Sequence, residues 1–450
     1  MSFFDFIAFF IYAFAFYFIV RIKKNQLKDE RIKGYFQKAF FIKVFASFAY
    51  SLFVLYVSKG DTTTLYFPEG YNLYQLILKE PSNLKLLFGS GADIDAHLLA
   101  NPRQAGYFAE DSNFMVVRIT ALLCFFCFGK YMVVNLFFAM IAFSGIWKLY
   151  LFFYDQFPQL ARHFAYAILF LPTFTFWSSG ILKDPLAICA LGWFTYAFYQ
   201  LAYYKKGFIK NGLILLITVY IFSVIKVYIL VAYLPAFILF LLLKNAMLVK
   251  NKVAKMMLIF LFLAGSIVGF ILLGDVMKGA ISDYSGEDIT EGISSYQQNY
   301  MRQNKKSDGS YFSLGIEFDG TLSSLLKIAP AAIIATFFRP FLWESRNLTT
   351  LLSSFESLAI MLFTLYVLGK AGIRNFISTI IRRPIVLYCF TFSIVFALFV
   401  GATTLNFGTL VRYKIPAMPF YVVSLILILY FNNKLKTPYQ PVLENTTDNH

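Results

Sequence analysis

Lys183 and Asp184 stand side by side in "FWSSGILKDP", between two segments apolar enough to enter a bilayer. Charges in such a place are costly and call for a partner or a function. Four further polar clusters break apolar runs in the same way. Asp61 lies in "SKGDTTTLYFPEG", Lys226 in "SVIKVY", Arg339 and Glu344 in "FFRPFLWESRN", and Arg412 and Lys414 in "NFGTLVRYKIPAMPF". A carboxylate at a water-facing membrane surface can take a proton from an acceptor hydroxyl. A guanidinium holds a phosphate through two parallel hydrogen bonds, and an ammonium does so as a point charge. On these grounds Asp61, Asp184 and Glu344 are the candidate catalytic acids. Lys183, Lys226, Arg339, Arg412 and Lys414 are the candidate substrate-phosphate ligands.

Plainer readings stand beside each assignment. Asp61 also suits a polar turn after a helix end. Trp177, Gly180 and Pro185 suit an aromatic anchor, a break and a helix start, although that leaves Lys183 and Asp184 unused. Adjacent residues do not face each other on a helix, so each of this pair needs its own partner. Lys226 could reach the interface along its own stem. Arg339 and Glu344 could close a salt-bridged helix end, and Arg412 and Lys414 could mark a basic helix edge.

The elements that must position these groups are membrane helices. Of 450 residues, 59% are hydrophobic and 14% charged, and the mean hydropathy is +0.65. A soluble core could not hide that much apolar surface. The fold class is an all-α, polytopic transmembrane protein of about 10 to 12 membrane segments, some re-entrant, since each span needs roughly 20 apolar residues. Residues 1–432 form one integral domain with extracytoplasmic loops at 58–113 and 275–324, and residues 433–450 form a polar cytoplasmic tail. The opening "MSFFDFIAFFIYAFAFYFIVRIKK" reads as a first spanning helix rather than a cleavable signal, and helix 2 as running from about Phe40 to Val57.

Basic loops fix the expected topology. "RIKKNQLKDERIKGYFQKAFFIK", "YYKKGFIKN", "KNAMLVKNKVAKM" and "LGKAGIRNFISTIIRRP" read as cytoplasmic. That places Asp61, the two acidic insertions, Lys226 and the Arg412 loop outside. The stretch from Gly212 to Asn245 reads as two helices meeting at Lys226. Counting from the "YYKKG" loop also puts Lys183 outside, and then one element between 60 and 163 must be re-entrant or lie in the interface. The run between Pro330 and Pro340 poses the same difficulty.

The net charge of +16 sits in short loops beside apolar segments, not on a long basic face, which argues against nucleic acid as a partner. The four cysteines lie inside apolar segments and read as buried free thiols despite the "CFFC" spacing. Three scattered histidines argue against a histidine metal site. No metal ligand or cofactor is assigned, although Asp93, Asp95, Glu110 and Asp111 could hold a divalent cation.

Carboxylates and several cations at one lipid–water boundary suit a substrate with an apolar tail, a phosphate link and a hydroxylated head. "FWSSGILKDP", "FFRPFLWE" and "NFGTLVRYKIPAMPF", with "GD…Y" after the second helix, resemble segments of bacterial membrane proteins of surface-polysaccharide gene clusters. These are similar in layout to O-antigen-type polymerases and C-type lipid-linked-sugar glycosyltransferases. The resemblance implies residence in the inner membrane, a C-terminus in the cytoplasm, and a polyprenyl-linked sugar or oligosaccharide as substrate among the membrane lipids. It makes Asp61 the counterpart of the catalytic acid in the first external loop, though Asp61 follows the second helix and stands alone. Arg412 and Arg339 match the external-loop arginines of polymerases. The expected function is transfer or polymerisation of lipid-linked sugars at the outer face. The alternative is a transporter or flippase of a lipid-linked oligosaccharide or another anionic lipid.

Overall fold

The computed structural model describes residues 3–246, 311–315 and 322–435. The expected helix after residue 250 and most of the second insertion, 275–324, lie outside the described residues, as does the tail from 436. The described chain is all-α, with one isolated bridge between Tyr311 and Asn406. Seven described helices are long and apolar enough to cross a membrane, or eight if one bent pair forms a single span. This is a multi-pass membrane protein.

Helix α1 (Phe3–Asn25) and α2 (Glu30–Tyr56) form an antiparallel pair. Helix α2 starts about ten residues before the expected Phe40, because Asp29 caps it by accepting from the Arg31 amide. Cations of the following basic turn therefore ride on the helix. Phe6 packs on Phe48, and Tyr17 on Phe41, so the start of α1 meets the end of α2. These contacts define an Asp61 end and an Asp29 end.

The chain then winds through a segment at the Asp61 end carrying α3 (Phe67–Lys79) before α4 (Asp111–Cys127). Both ends of α4 lie at the Asp61 end. Ser112 in its first turn accepts from Lys183, and Lys130 just after it pairs with Asp5 at 3.1 Å. Helix α4 therefore begins and ends at the same end of the bundle. Arg118 pins it by donating to the carbonyls of Leu86 and Gly89.

Helix α5 (Tyr131–Tyr154) crosses to the Asp29 end, where the Tyr154 hydroxyl donates to Asp29. Short helical turns from Pro158 to Leu169 and α6 (Pro172–Trp177) climb back as a broken crossing. Helix α7 (Lys183–Ala202) descends beside α5. Gly145 and Gly192 let those two backbones touch, since a Cβ on Gly192 would overlap the Gly145 carbonyl. Helices α8 (Phe208–Ile225) and α9 (Val227–Ala246) meet at Lys226, back at the Asp61 end.

Helix α10 (Leu322–Phe338) enters from the Asp61 end and stops partway. The chain turns at Arg339 and returns to start α11 (Leu348–Ala371) at Asn347. Ser357 donates to the Arg339 carbonyl nine residues into α11, which puts that turn about 13 Å below the α11 start. The segment between Pro330 and Pro340 is thus re-entrant. Helix α12 (Ile373–Arg382) lies at the Asp29 end and α13 (Pro384–Thr403) crosses back. Helices α14 (Phe407–Tyr413) and α15 (Met418–Phe431) complete the chain, bent by 62° at the break between them.

Candidate functional site

Four sequence candidates from distant parts of the chain converge at the Asp61 end. Asp184, in the first turn of α7, is buried with 1% of its side chain exposed. Lys226 Nζ donates to its Oδ1 at 2.5 Å, and Arg412 Nε donates to its Oδ2 at 2.6 Å. Arg412 Nη1 also donates to Asp61 Oδ2 at 3.1 Å. The result is a chain of charges: Lys226, Asp184, Arg412, Asp61.

Each member is placed by a broken helix. Lys226 occupies the extended residue between α8 and α9, with φ −154° and ψ 68°. Asp184 sits where α7 opens, and there the positive end of the helix dipole favours a carboxylate. Arg412 is on α14, just before the bend. Asp61 precedes a wide turn, Thr62–Tyr66, that carries the backbone away from α2. Thr62 ties that turn to the "WSSG" loop, donating to the Ile181 carbonyl at 3.0 Å and sharing a 2.7 Å hydrogen bond with the Tyr50 hydroxyl. Asn135 fixes the same loop by accepting from the Ile181 amide at 2.9 Å. Gly180 lies flat on the Tyr50 ring, where a Cβ would collide.

Exposure is graded along the chain of charges. The side chain of Asp184 is 1% exposed, Lys226 5%, Arg412 15% and Asp61 41%. Asp61 is thus the member that meets water. Arg412 Nη2 has no hydrogen-bond partner among the described residues. Lys226 and Arg412 also face the Tyr413 ring, at 4.7 Å and 5.8 Å from its centroid.

Lys183 points to the other side of the same loop and donates to Ser112 at 2.7 Å. Next to it Asn113 donates to Glu110 and to the Tyr107 carbonyl, and accepts from Tyr66, which shares a 2.8 Å bond with Tyr107. Burial, with a smaller contribution from the Asp61 charge, pushes the Tyr107 hydroxyl up to about 12. Tyr107 therefore serves as a neutral hydrogen-bonding group beside Asp61.

The remaining three candidates form a separate group. Arg339 is paired with Glu344 through Nε at 3.0 Å and through Nη2. Its guanidinium stacks against Phe312 and Phe407, 4.4 Å and 5.1 Å from their centroids. Glu344 further accepts from the Phe341 amide at 2.9 Å, which closes the turn. Lys414 is 1% exposed and donates to the Arg339 carbonyl and to Ser357. These contacts make Arg339, Glu344 and Lys414 the bracing of the re-entrant turn. The salt-bridged reading of Arg339 and Glu344 is the one the geometry matches.

Two buried charges of this region escaped the sequence reading. Glu356 of α11 accepts from the Thr173 amide at 2.7 Å and from its hydroxyl at 2.5 Å, at the start of α6. Lys43 of α2 donates to the carbonyls of Thr175 and Ser178, at its end. A carboxylate at the amino end and an ammonium at the carboxyl end both match the dipole of that six-residue helix. For Glu356 the signal was present, since it is the one acidic residue in a largely apolar helix; Lys43 was masked by the basic start of α2.

The acidic residues between α2 and α4 do not converge. Asp111 accepts from the Gly91 amide at 2.6 Å, Asp95 from the His97 amide at 3.0 Å, and Glu110 from Asn113. Among the described residues no three His, Cys, Asp or Glu side chains gather as a metal site. All four cysteines are free thiols. No family model, curated protein or solved structure matches this chain.

Proposed function

We propose that this protein transfers or polymerises polyprenyl-phosphate-linked sugars at the outer face of a bacterial inner membrane. The observation that carries the reading is Arg412, anchored by buried Asp184 and presenting its outer edge beside half-exposed Asp61. In this mechanism the open edge of Arg412, with Lys226 behind it, receives the phosphate of the lipid carrier. Arrival of the phosphate competes with Asp61 for Nη1, and so frees the Asp61 carboxylate. Asp61 takes the proton of the acceptor hydroxyl while that oxygen bonds to the anomeric carbon. The bond from that carbon to the phosphate oxygen breaks, and the cations stabilise the departing polyprenyl phosphate or diphosphate. Tyr107, Glu110 and Lys183 border the space where the acceptor glycan approaches.

Packing favours transfer over transport. Below the charge cluster Phe152, Tyr199, Tyr233, Phe237, Tyr388 and Phe420 fill the bundle toward the Asp29 end, all 2% exposed or less. A flippase needs a polar path through that layer. What supports the outer-face assignment is that Lys24, Arg31, Lys244 and Arg383 collect at the Asp29 end, and positive loops favour the cytoplasm.

The experiment is surface-glycan length and composition in cells carrying Arg412→Ala, beside wild type and a deletion, with membrane levels of the protein measured. Loss of polymer or of one sugar in both strains, with normal protein levels in the variant, is the expected result and identifies the step. Unchanged glycan in both strains refutes the proposal.

A further inference from the structure

Helix α12, Ile373–Arg382, is too short to cross a membrane and lies at the Asp29 end between α11 and α13. Its ten residues divide into three faces at about 100° per residue. Phe376 and Thr379 turn inward and are buried. Ile373, Ile377 and Ile381, spaced by four, share the adjoining arc and are 64%, 50% and 66% exposed. Arg374 and Arg382 occupy the third arc and are exposed, and Lys370 and Arg383 flank the helix at either end. None of these four cations has a carboxylate partner among the described residues. The sequence holds no Asp or Glu between Glu356 and Glu444, so the surface is cationic without local compensation.

We infer that this surface is a binding site for an anionic phospholipid of the leaflet at the Asp29 end, with the isoleucines against its acyl chains and Arg374 and Arg382 on its headgroup phosphate. Charge complementarity selects this occupant. A soluble acidic partner would leave three exposed isoleucines in water, whereas a zwitterionic lipid brings no net negative charge to offset four cations. An interfacial helix with an aliphatic face and flanking arginines satisfies both at once. The site is remote from the Asp61 cluster and does not rest on the glycosyl-transfer reading.

The test uses the full chain purified in detergent, with phosphatidylglycerol or phosphatidylcholine added and the bound lipid counted by native mass spectrometry. Wild type is expected to prefer phosphatidylglycerol, and that preference should fall with rising salt. Each cation removed near a charged surface is worth about fivefold, so Arg374→Gln with Arg382→Gln should weaken phosphatidylglycerol binding about 25-fold. The corresponding pair of Lys substitutions should retain binding within a few fold. Equal binding of the two lipids by wild type, salt-independent binding, or wild-type affinity in the Gln variant would each overturn the inference. The wild-type measurements need no variant, so they decide the matter even if the Gln protein is poorly folded.

Discussion

Replacing Asp184 by Asn tests the charge cluster most directly. The side chain is 1% exposed and accepts from two cations, at 2.5 Å and 2.6 Å. Asn keeps the shape and one acceptor oxygen but removes the charge that both cations need. Lys226 is then left 5% exposed beside Arg412, with no buried counter-charge. Removing one member of a buried ion pair costs about 3–5 kcal/mol, and the retained acceptor puts Asp184→Asn near the lower figure. Asp61→Asn gives the contrast. Asp61 is 41% exposed and its contact with Arg412 is a 3.1 Å surface-facing pair, so its loss costs at most about 1 kcal/mol. Thermal unfolding of the purified proteins in one detergent is the assay. Asp184→Asn should melt well below wild type and Asp61→Asn close to it, with both deficient in glycan. Adding Lys226→Met to Asp184→Asn should recover part of the loss, because it removes a stranded cation. If Asp184→Asn melts with wild type, the buried charge chain is wrong.

Three further outcomes follow from the same geometry. Arg412→Lys should fail to restore glycan, because one ammonium cannot reproduce an Nε bond to Asp184 and an Nη1 bond to Asp61; normal glycan in this variant would reduce Arg412 to a point charge. Gly180→Ala should destabilise the protein by about 1–3 kcal/mol by pushing on the Tyr50 ring, and Tyr50→Leu in the same background should relieve it; unfolding curves decide both. Lys43→Met strips the carboxyl end of α6 of its bonds to Thr175 and Ser178, and should cost about 1–3 kcal/mol without touching the Asp61 cluster. Faster trypsin cleavage with residual glycan of normal length is its expected signature, and shortened glycan at wild-type stability would contradict it.

The location of charges in apolar runs was legible because membrane burial makes such residues expensive, and Asp61, Asp184, Lys226 and Arg412 were all found that way. Their pairing was not legible, since the partners of Asp184 lie 42 and 228 residues away. Helical geometry could have separated Arg412 from Lys414 in advance. Two residues at about 100° each point them some 200° apart, and Lys414 indeed turns to Ser357. In the sequence Lys43 reads as the end of the basic stretch "RIKKNQLKDERIKGYFQKAFFIK", and Glu356 as one more polar residue of "TTLLSSFES"; the structure instead buries both, and their meaning lies in the ends of a helix elsewhere in the chain. Loop counting asked for one element between 60 and 163 that is re-entrant or interfacial, but composition alone did not distinguish α4 from a span.

The doubly held α6 bears on how the protein is made. Thr173 meets Glu356 across 183 residues, whereas Lys43 is already present when α6 leaves the ribosome. During synthesis the carboxyl end of α6 can be satisfied at once, while its amino end waits for α11 to be inserted. The first half of the chain therefore carries an unfinished seam that only the second half closes. Lys414 docks on Ser357, the neighbour of Glu356, so the same late-arriving turn of α11 also receives the last helix pair. Assembly of the bundle would thus be checked near its end, at a polar junction, before the charge cluster above it can form.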